Sequence, residues 1–203
     1  VYKRQEGGGF GIFLPSERYL GLFDDTDERF DASVRTKFYD KNGNLLTSAA
    51  DPEYIAPHCK KYEDYDRVMD AGASSKNIYF IRYADLILLY AECLLAENDL
   101  AGAKQQVIRV RNRAKVSTPI TASNNTEMLD FIYEERMREL GMEGWRRMDL
   151  IRRGADYFAA QVDKYNPFAK GNVQPYHAFY PIPTNEINMN DGIGAEDQNE
   201  GYK

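Results

Sequence analysis

Histidine is nearly missing from these 203 residues: His58 and His177 are the only two. That removes most of the material for histidine metal sites and for nucleophile–histidine–acid triads. No HExxH, CxxC, G-x-S-x-G, phosphate-binding P-loop or strand-linked G-x-G-x-x-G occurs. Each histidine is expected to be a structural hydrogen-bonder. Cysteine is equally scarce, so Cys59 and Cys93 cannot make a disulfide framework. Cys93 sits in an apolar helical pattern and is expected to be a buried free thiol. No hydrophobic run approaches the length of a membrane span; the longest surrounds Leu86–Leu89. No run of lysine and arginine lacks interleaved acids, and the net charge is −6, which argues against nucleic acid or an anionic membrane as partner. The opening VYKRQEGGGF has neither an initiator methionine nor a signal peptide and is expected to be the interior of a longer polypeptide.

Aromatic residues are abundant: 15 Tyr and 10 Phe beside a single Trp. Many fall in the irregular first 80 residues, where tyrosine combines a flat apolar face with a hydroxyl and suits contact surfaces. Ser16 is placed to cap a short helix, SERYLGLF. Alternation over Val34, Thr36 and Phe38, followed by Asn42-Gly43, predicts a β-hairpin. Residues 51–77 are expected to be loop.

The helical part is predicted to begin near Asn77. Ile81, Ala84, Leu88, Ala91 and Leu95 recur at helical spacing, and Leu86, Leu89 and Tyr90 make the other side apolar, which predicts a central helix. Asn98-Asp99 breaks it, and Leu100, Ala103, Val107, Val110 and Ala114 mark a second helix. So short a turn makes the two antiparallel neighbours, a tetratricopeptide-like pair with no second copy in the chain. Thr126 is expected to cap a third helix reaching Leu140, and WRRMDLIRR a fourth, ended by Gly154. Beyond Gly154 the chain reads as loop, with at most one helical turn after Pro181-Ile182-Pro183.

The stretch Ile132–Gly154, IYEERMRELGMEGWRRMDLIRRG, holds five acids and six bases, and every base is arginine. Arginine's planar fork pairs bidentately with carboxylates and tolerates burial better than lysine. Glu135, Glu139 and Glu143 lie four apart, a repulsive stripe unless cations intervene. Arg136, Arg146 and Arg152 are placed to intervene, with Asp149 near Arg146 and Arg153. The stretch is therefore expected to be a structural ion-pair lattice, whose carboxyls would have depressed pKa values and be poor general acids. Asp24, Asp25, Asp27, Glu28 and Asp31 offer carboxylates for a glycosidase pair, but ion pairs to Arg29 and Arg35 are the preferred reading. Asp40, Asn42, Asn44 and Asp51 half-fit a calcium loop; Leu45 stands where that loop needs glycine, so no metal is expected.

Several separated segments resemble one family. RYADLILLYAECLLAEND from Arg82, ERMRELGMEGWRRMDLIRRG, and the ending through Pro181, Ile182, Pro183, Glu186, Ile187, Asn190, Gln198, Asn199, Gly201 and Tyr202 are similar to the SusD/RagB-like outer-membrane lipoproteins. DERFDASVR resembles their D-x-R element, and Glu200 departs where the family favours proline. The resemblance implies a mainly α, SusD-like fold: a tetratricopeptide-type helix pair plus further helices, a small β-hairpin and long loops. It implies that residues 1–203 are the C-terminal part of such a domain. Residues 1–78 would form the loop- and hairpin-rich ligand region, 79–154 the helical core and 155–203 C-terminal loops.

It further implies a non-enzymatic, cofactor-free protein on the outer face of the outer membrane, anchored only by a lipid outside this chain. That protein would bind oligosaccharides and deliver them to a TonB-dependent, SusC-like transporter. Aromatic platforms suit sugar C–H faces, and polar side chains suit the hydroxyls. The candidate ligand residues are Phe10, Phe13, Tyr39, Tyr54 and Tyr65 as platforms, with Asn44 and Asp51 as polar partners. The competing readings are a helical-repeat scaffold for protein partners, a peptide-binding importer subunit and a glycoside hydrolase.

Overall fold

The structure is a computed structural model and describes residues 14–39, 44–45, 57–63 and 76–203. The chain divides into two compact units, Val1–Gly144 and Trp145–Lys203.

The first unit is built on three helices: α3 (Tyr83–Ala96), α4 (Leu100–Arg113) and α5 (Asn125–Leu140), with α3 packed against both others. Ahead of them come the short α1 (Glu17–Leu20) and α2 (Arg29–Ser33) and the strands β1 (Val34–Arg35) and β2 (His58–Cys59). The Ser16 hydroxyl accepts the Tyr19 amide at 3.2 Å and caps α1 as expected.

Three residues link α3 to α4. Asn98 takes a left-handed φ of 62°, and the Asp99 carboxylate caps α4 by accepting the Gly102 amide at 2.8 Å. The chain thus reverses and α4 runs back along α3. Their shared seam contains Leu88, Ala91 and Leu95 from α3 and Ala103, Val107 and Val110 from α4. Ala122, Met128 and Ile132 complete the core from the α5 side. Alanines at 91 and 103 let the backbones approach, and the larger side chains fill the space on either side.

Five features of this unit differ from the expectation. Helix α3 begins at Tyr83, not Asn77, because Asn77–Arg82 is extended or bent chain. Helix α3 is covered on one side only: Leu88, Ala91 and Leu95 are buried, whereas Tyr83, Leu86 and Tyr90 are exposed. Cys93 shares the outer side and is exposed, not buried. Asn124, not Thr126, caps α5; its side chain accepts the Glu127 amide at 3.0 Å, and Glu127 reaches back to the Ser123 amide at 2.7 Å. The strand pairing also differs in its partner. β1 pairs antiparallel with β2, inside the segment expected to be loop, with Val34 opposite Cys59 and Arg35 opposite His58. An isolated bridge pairs Tyr39 with Leu45, and Asn42-Gly43, where the turn is expected, lies outside the described residues.

The second unit contains α6 (Arg146–Arg152), α7 (Ala155–Tyr165) and α8 (Thr184–Met189), with short 3-10 turns at Pro175–Ala178 and Ala195–Asp197. Its core is Leu150, Phe158 and Ala178, flanked by Ile151, Ala155, Tyr157, Val162 and Val173. α7 replaces the expected loop. Ala155, Phe158, Ala159 and Val162 carry helical spacing, and Gly154, at φ 110°, separates α7 from α6 without stopping helix formation beyond it.

The C-terminal motif is a hydrogen-bonded clasp. Gln198 both accepts the Ile182 amide (2.7 Å) and donates to the Ile182 carbonyl (2.9 Å). Asn199 donates to the Tyr180 carbonyl at 2.7 Å and the Tyr202 hydroxyl to the Phe179 carbonyl at 3.0 Å. Gly201 sits at φ 86°, where an added Cβ would lie 2.2 Å from the Tyr176 ring, so no other residue fits without displacement.

Candidate functional site: a buried ion-pair lattice beside an aromatic cleft

Glu135 and Glu139 of α5, and Glu143 in the turn just beyond it, meet their cations across long stretches of sequence. Arg29, in α2, donates to Glu135 at 2.7 Å and Glu139 at 3.3 Å, while Asp27 holds the rest of its fork at 2.7–2.8 Å. Asp27 and Arg29 are the acid and base of the D-x-R element. Arg82, at the entrance to α3, donates to Glu139 at 2.8 Å and to both oxygens of Glu143 at 2.7 and 2.9 Å. Lys61 adds 2.7 Å to Glu143 and 2.8 Å to the Glu139 carbonyl. From α4, Arg111 reaches Glu135 at 3.3 Å and Arg113 reaches Glu139; Arg138 of α5 itself bonds Glu135 at 2.8 Å.

Helix α5 is thus tied to α2, the 60–63 turn, the head of α3 and the end of α4. All three glutamates are matched by guanidinium groups, and their side chains are at most 2% exposed. Burial opposes the charge of Glu139. The hydrogen bond from Arg82, with the charges of Arg113, Arg82 and Arg29, outweighs burial and holds the carboxyl below the usual carboxylate range. Burial also opposes the charge of Arg82 and Arg29, yet their carboxylate partners prevail and keep both firmly cationic. Lys61 goes the other way: burial pulls its pKa down despite the opposing pull of Glu143. Carboxylates so neutralised do not serve readily as proton donors or nucleophiles.

Arg136 was expected to separate the glutamates. It instead faces α3, donating to buried Asp85 at 2.6 Å, because it lies about 100° around the helix from Glu135. Arg146 and Asp149 lie in α6 of the second unit, where Asp149 is buried and accepts from Arg152 at 3.1 Å. Glu135, Glu139 and Glu143 accept bonds from Arg29, Arg82, Arg111, Arg113, Arg138 and Lys61. In the Asp24–Asp31 cluster, Asp24 accepts from the Thr26 hydroxyl at 2.6 Å and the Thr118 hydroxyl at 2.7 Å; the Thr26 bond leads, burial opposes it, and the Thr118 and Thr26 amide bonds help bring the pKa down to about 2.

A cleft of about 500 Å³ opens beside the lattice, lined by Tyr62, Lys76, Ile78, Met142 and Glu143. The Tyr62 and Tyr79 rings lie 5.7 Å apart, tilted by 36°, and the Arg82 guanidinium carbon is 5.9 Å from the Tyr79 centroid. Met142 adopts a left-handed φ of 66° as the chain leaves α5. None of these five lining residues is evident as a site from the sequence. The available signals were the tyrosines on either side of the 64–75 segment and the cations Lys61 and Arg82 next to them.

Of the candidate ligand residues, Phe10, Phe13, Asp51, Tyr54 and Tyr65 lie outside the described residues. Tyr39 and Asn44 are exposed, and the Tyr39–Leu45 bridge brings them to one short segment.

A family model, described as the SusD family, matches residues 15–202. The chain belongs to the SusD family. It is 34% identical over 202 residues to SusD-like protein P25 of Formosa agariphila, covering 96% of this chain and 36% of that protein. It is 32% identical over 142 residues to the starch-binding protein SusD of Bacteroides thetaiotaomicron, covering 67% of this chain and 23% of that protein. The fold matches that of Bacteroides fragilis NanU with a TM-score of 0.62 at 24% identity, covering all of this chain and 44% of that one. It also matches a SusD superfamily protein from Bacteroides vulgatus, with a TM-score of 0.66 at 20% identity over 86% of this chain and 42% of that one. The chain therefore spans about a third of P25 and less of SusD. Its mainly helical, SusD-like fold agrees with the expectation.

Proposed function

We propose that this SusD-family chain is part of a cell-surface protein that binds oligosaccharide and passes it to a TonB-dependent, SusC-like transporter in the outer membrane. One observation carries the reading: the match over residues 15–202 to a family that includes a starch-binding protein. The geometry supports binding over turnover, because the carboxylates of Glu135, Glu139 and Glu143, which would have to act as acid and nucleophile, are held by arginines. Among the described residues no helix is long and apolar enough to cross a membrane. Attachment to the outer membrane would come from a lipid outside this chain.

We further read residues 1–203 as the C-terminal part of the domain, with the exposed Tyr83, Leu86 and Tyr90 face of α3 as the seat of further helices. Exposed apolar stripes of that size mark contacts. The test of function is calorimetry of the complete polypeptide against starch, other neutral oligosaccharides, uronate-containing oligosaccharides and peptides. Micromolar to millimolar binding of at least one saccharide is expected. Binding of peptides alone, or of the transporter with no small ligand, would overturn the glycan reading.

A further inference from the structure

We propose that the cleft beside the lattice is a saccharide subsite that holds one pyranose ring. Its C–H face would lie on Tyr62, and an acceptor oxygen on the ring would point to the Lys76 ammonium. The inference rests on the glycan-binding reading and adds the place and the chemistry.

Tyr62 is unusually well positioned for a loop aromatic. The residues on both sides of it are ionically anchored. Lys61 is bound to Glu143 and the Glu139 carbonyl, and Glu63 accepts from Arg35 at 2.5 and 2.6 Å. A platform held in place before the ligand arrives loses little entropy on binding. The Tyr79 ring supports it from the side, with Arg82 packed over Tyr79. Tyrosine provides a flat apolar face for a sugar's C–H edge and a hydroxyl for its rim.

The other walls suit the same guest. Met142 and Ile78 supply apolar surface, and methionine adapts its shape to an irregular ligand. The Glu143 side chain is 2% exposed, and Arg82 and Lys61 occupy it. Among the described lining residues the cleft therefore presents no unmatched carboxylate to repel an oxygen-rich or anionic ligand. Lys76 carries only donors, so the ligand atom it recognises is an acceptor: a hydroxyl oxygen of a neutral hexose or a carboxylate oxygen of a uronic acid. A volume of about 500 Å³ falls within the ordinary range of small-ligand sites, roughly 300–1,000 Å³.

The test is calorimetry of the complete protein with two probes, maltohexaose and an oligogalacturonate of similar length. The variants are Tyr62→Ala, Tyr62→Phe and Lys76→Gln, each checked for an unchanged melting temperature. Tyr62→Ala is expected to weaken the bound probe by about tenfold or more, and Tyr62→Phe to retain most of the affinity. Lys76→Gln, at an exposed side chain, is expected to weaken the bound probe several-fold. That loss should grow at low salt if the uronate is the ligand and be insensitive to salt if maltohexaose is. Glycan binding that Tyr62→Ala and Lys76→Gln both leave unchanged would overturn the subsite while leaving the proposed function standing. Lys76→Gln alone decides the matter should Tyr62→Ala fail to fold. Failure of both probes to bind overturns the subsite, and silence across the wider glycan panel overturns the function with it.

Discussion

Arg136 of α5 and Asp85 of α3 meet at 2.6 Å, both almost wholly buried, and pin the two helices at one height beside the Leu88–Met128–Ile132 core. Glu92, about two turns along α3, stands 3.9 Å from the same guanidinium. Removing one member of a buried pair leaves the other charge in a poorly polarisable interior. Asp85→Ala should therefore cost about 3–5 kcal/mol of stability. Replacing both partners, Asp85→Leu with Arg136→Met, should recover a large share. Denaturant midpoints of the three variants would settle this, and a double variant no better than the single one would show that the pair stabilises more than an apolar contact does.

Glu139 ties stability to pH. Its folded pKa lies below the usual glutamate value of 4.5, so the unfolded state takes up a proton first as pH falls. The stabilisation is present above about pH 4.5 and is lost as pH drops through the folded value. Glu139→Gln removes the charge that Arg29, Arg82 and Arg113 share, so it should destabilise at neutral pH. The gap between wild type and variant should then narrow below pH 4.5. Melting temperatures from pH 7 to pH 3 provide the check, and a constant gap would show that Glu139 is not the linked group.

These partnerships explain which features the sequence reveals. The α3–α4 pair and the core positions Leu88, Ala91, Val107 and Val110 follow from local spacing, because helical periodicity depends on neighbours three or four residues away. The arginine-rich stretch signals an ion lattice for the same reason. The identity of its cations is invisible to spacing: Arg29 and Glu135 are 106 residues apart, and Arg82 and Glu143 are 61 apart. Local spacing offers Arg146 and Arg152, but it gives no sign of the bonds that Arg29 and Arg82 make from far along the chain. Cys93 was misplaced by a related cause, since an apolar pattern shows which residues avoid water but not which side a neighbouring helix covers. The Tyr62 cleft was illegible because it joins a turn, an extended segment and the exit of α5.

The C-terminal clasp makes a sharp prediction for glycine. Gly201→Ala forces a side chain into a left-handed backbone and onto the Tyr176 ring. The expected cost is about 1–3 kcal/mol, confined to the second unit, with faster proteolysis around residues 179–203. Gln198→Ala, which breaks both bonds to Ile182, should resemble it. Gly192→Ala is the control: its φ is ordinary and an added Cβ would meet only the end of the Asn190 side chain, at 3.2 Å. Equal sensitivity at 192 and 201 would contradict the clasp.

The outward face of α3 offers a test of how this chain sits in a larger whole. Tyr83, Leu86 and Tyr90 recur at helical spacing and are half or more exposed, and Ile78, Phe80 and Ile81, just ahead of α3, are exposed as well. Scattered exposed apolar residues need no explanation, but a contiguous stripe does. If further helices of the complete polypeptide seat there, Leu86→Glu buries a charge without a partner. It should then cost the complete protein several kcal/mol, an effect of the size seen for unpaired buried charges, roughly 3–5 kcal/mol. In the isolated 203-residue chain the same substitution meets water and should be nearly neutral for stability, while reducing binding of a hydrophobic dye. Equal, small effects in both contexts would mean that the face stays open, and would move the stripe from the interior of the fold to a surface for a separate partner.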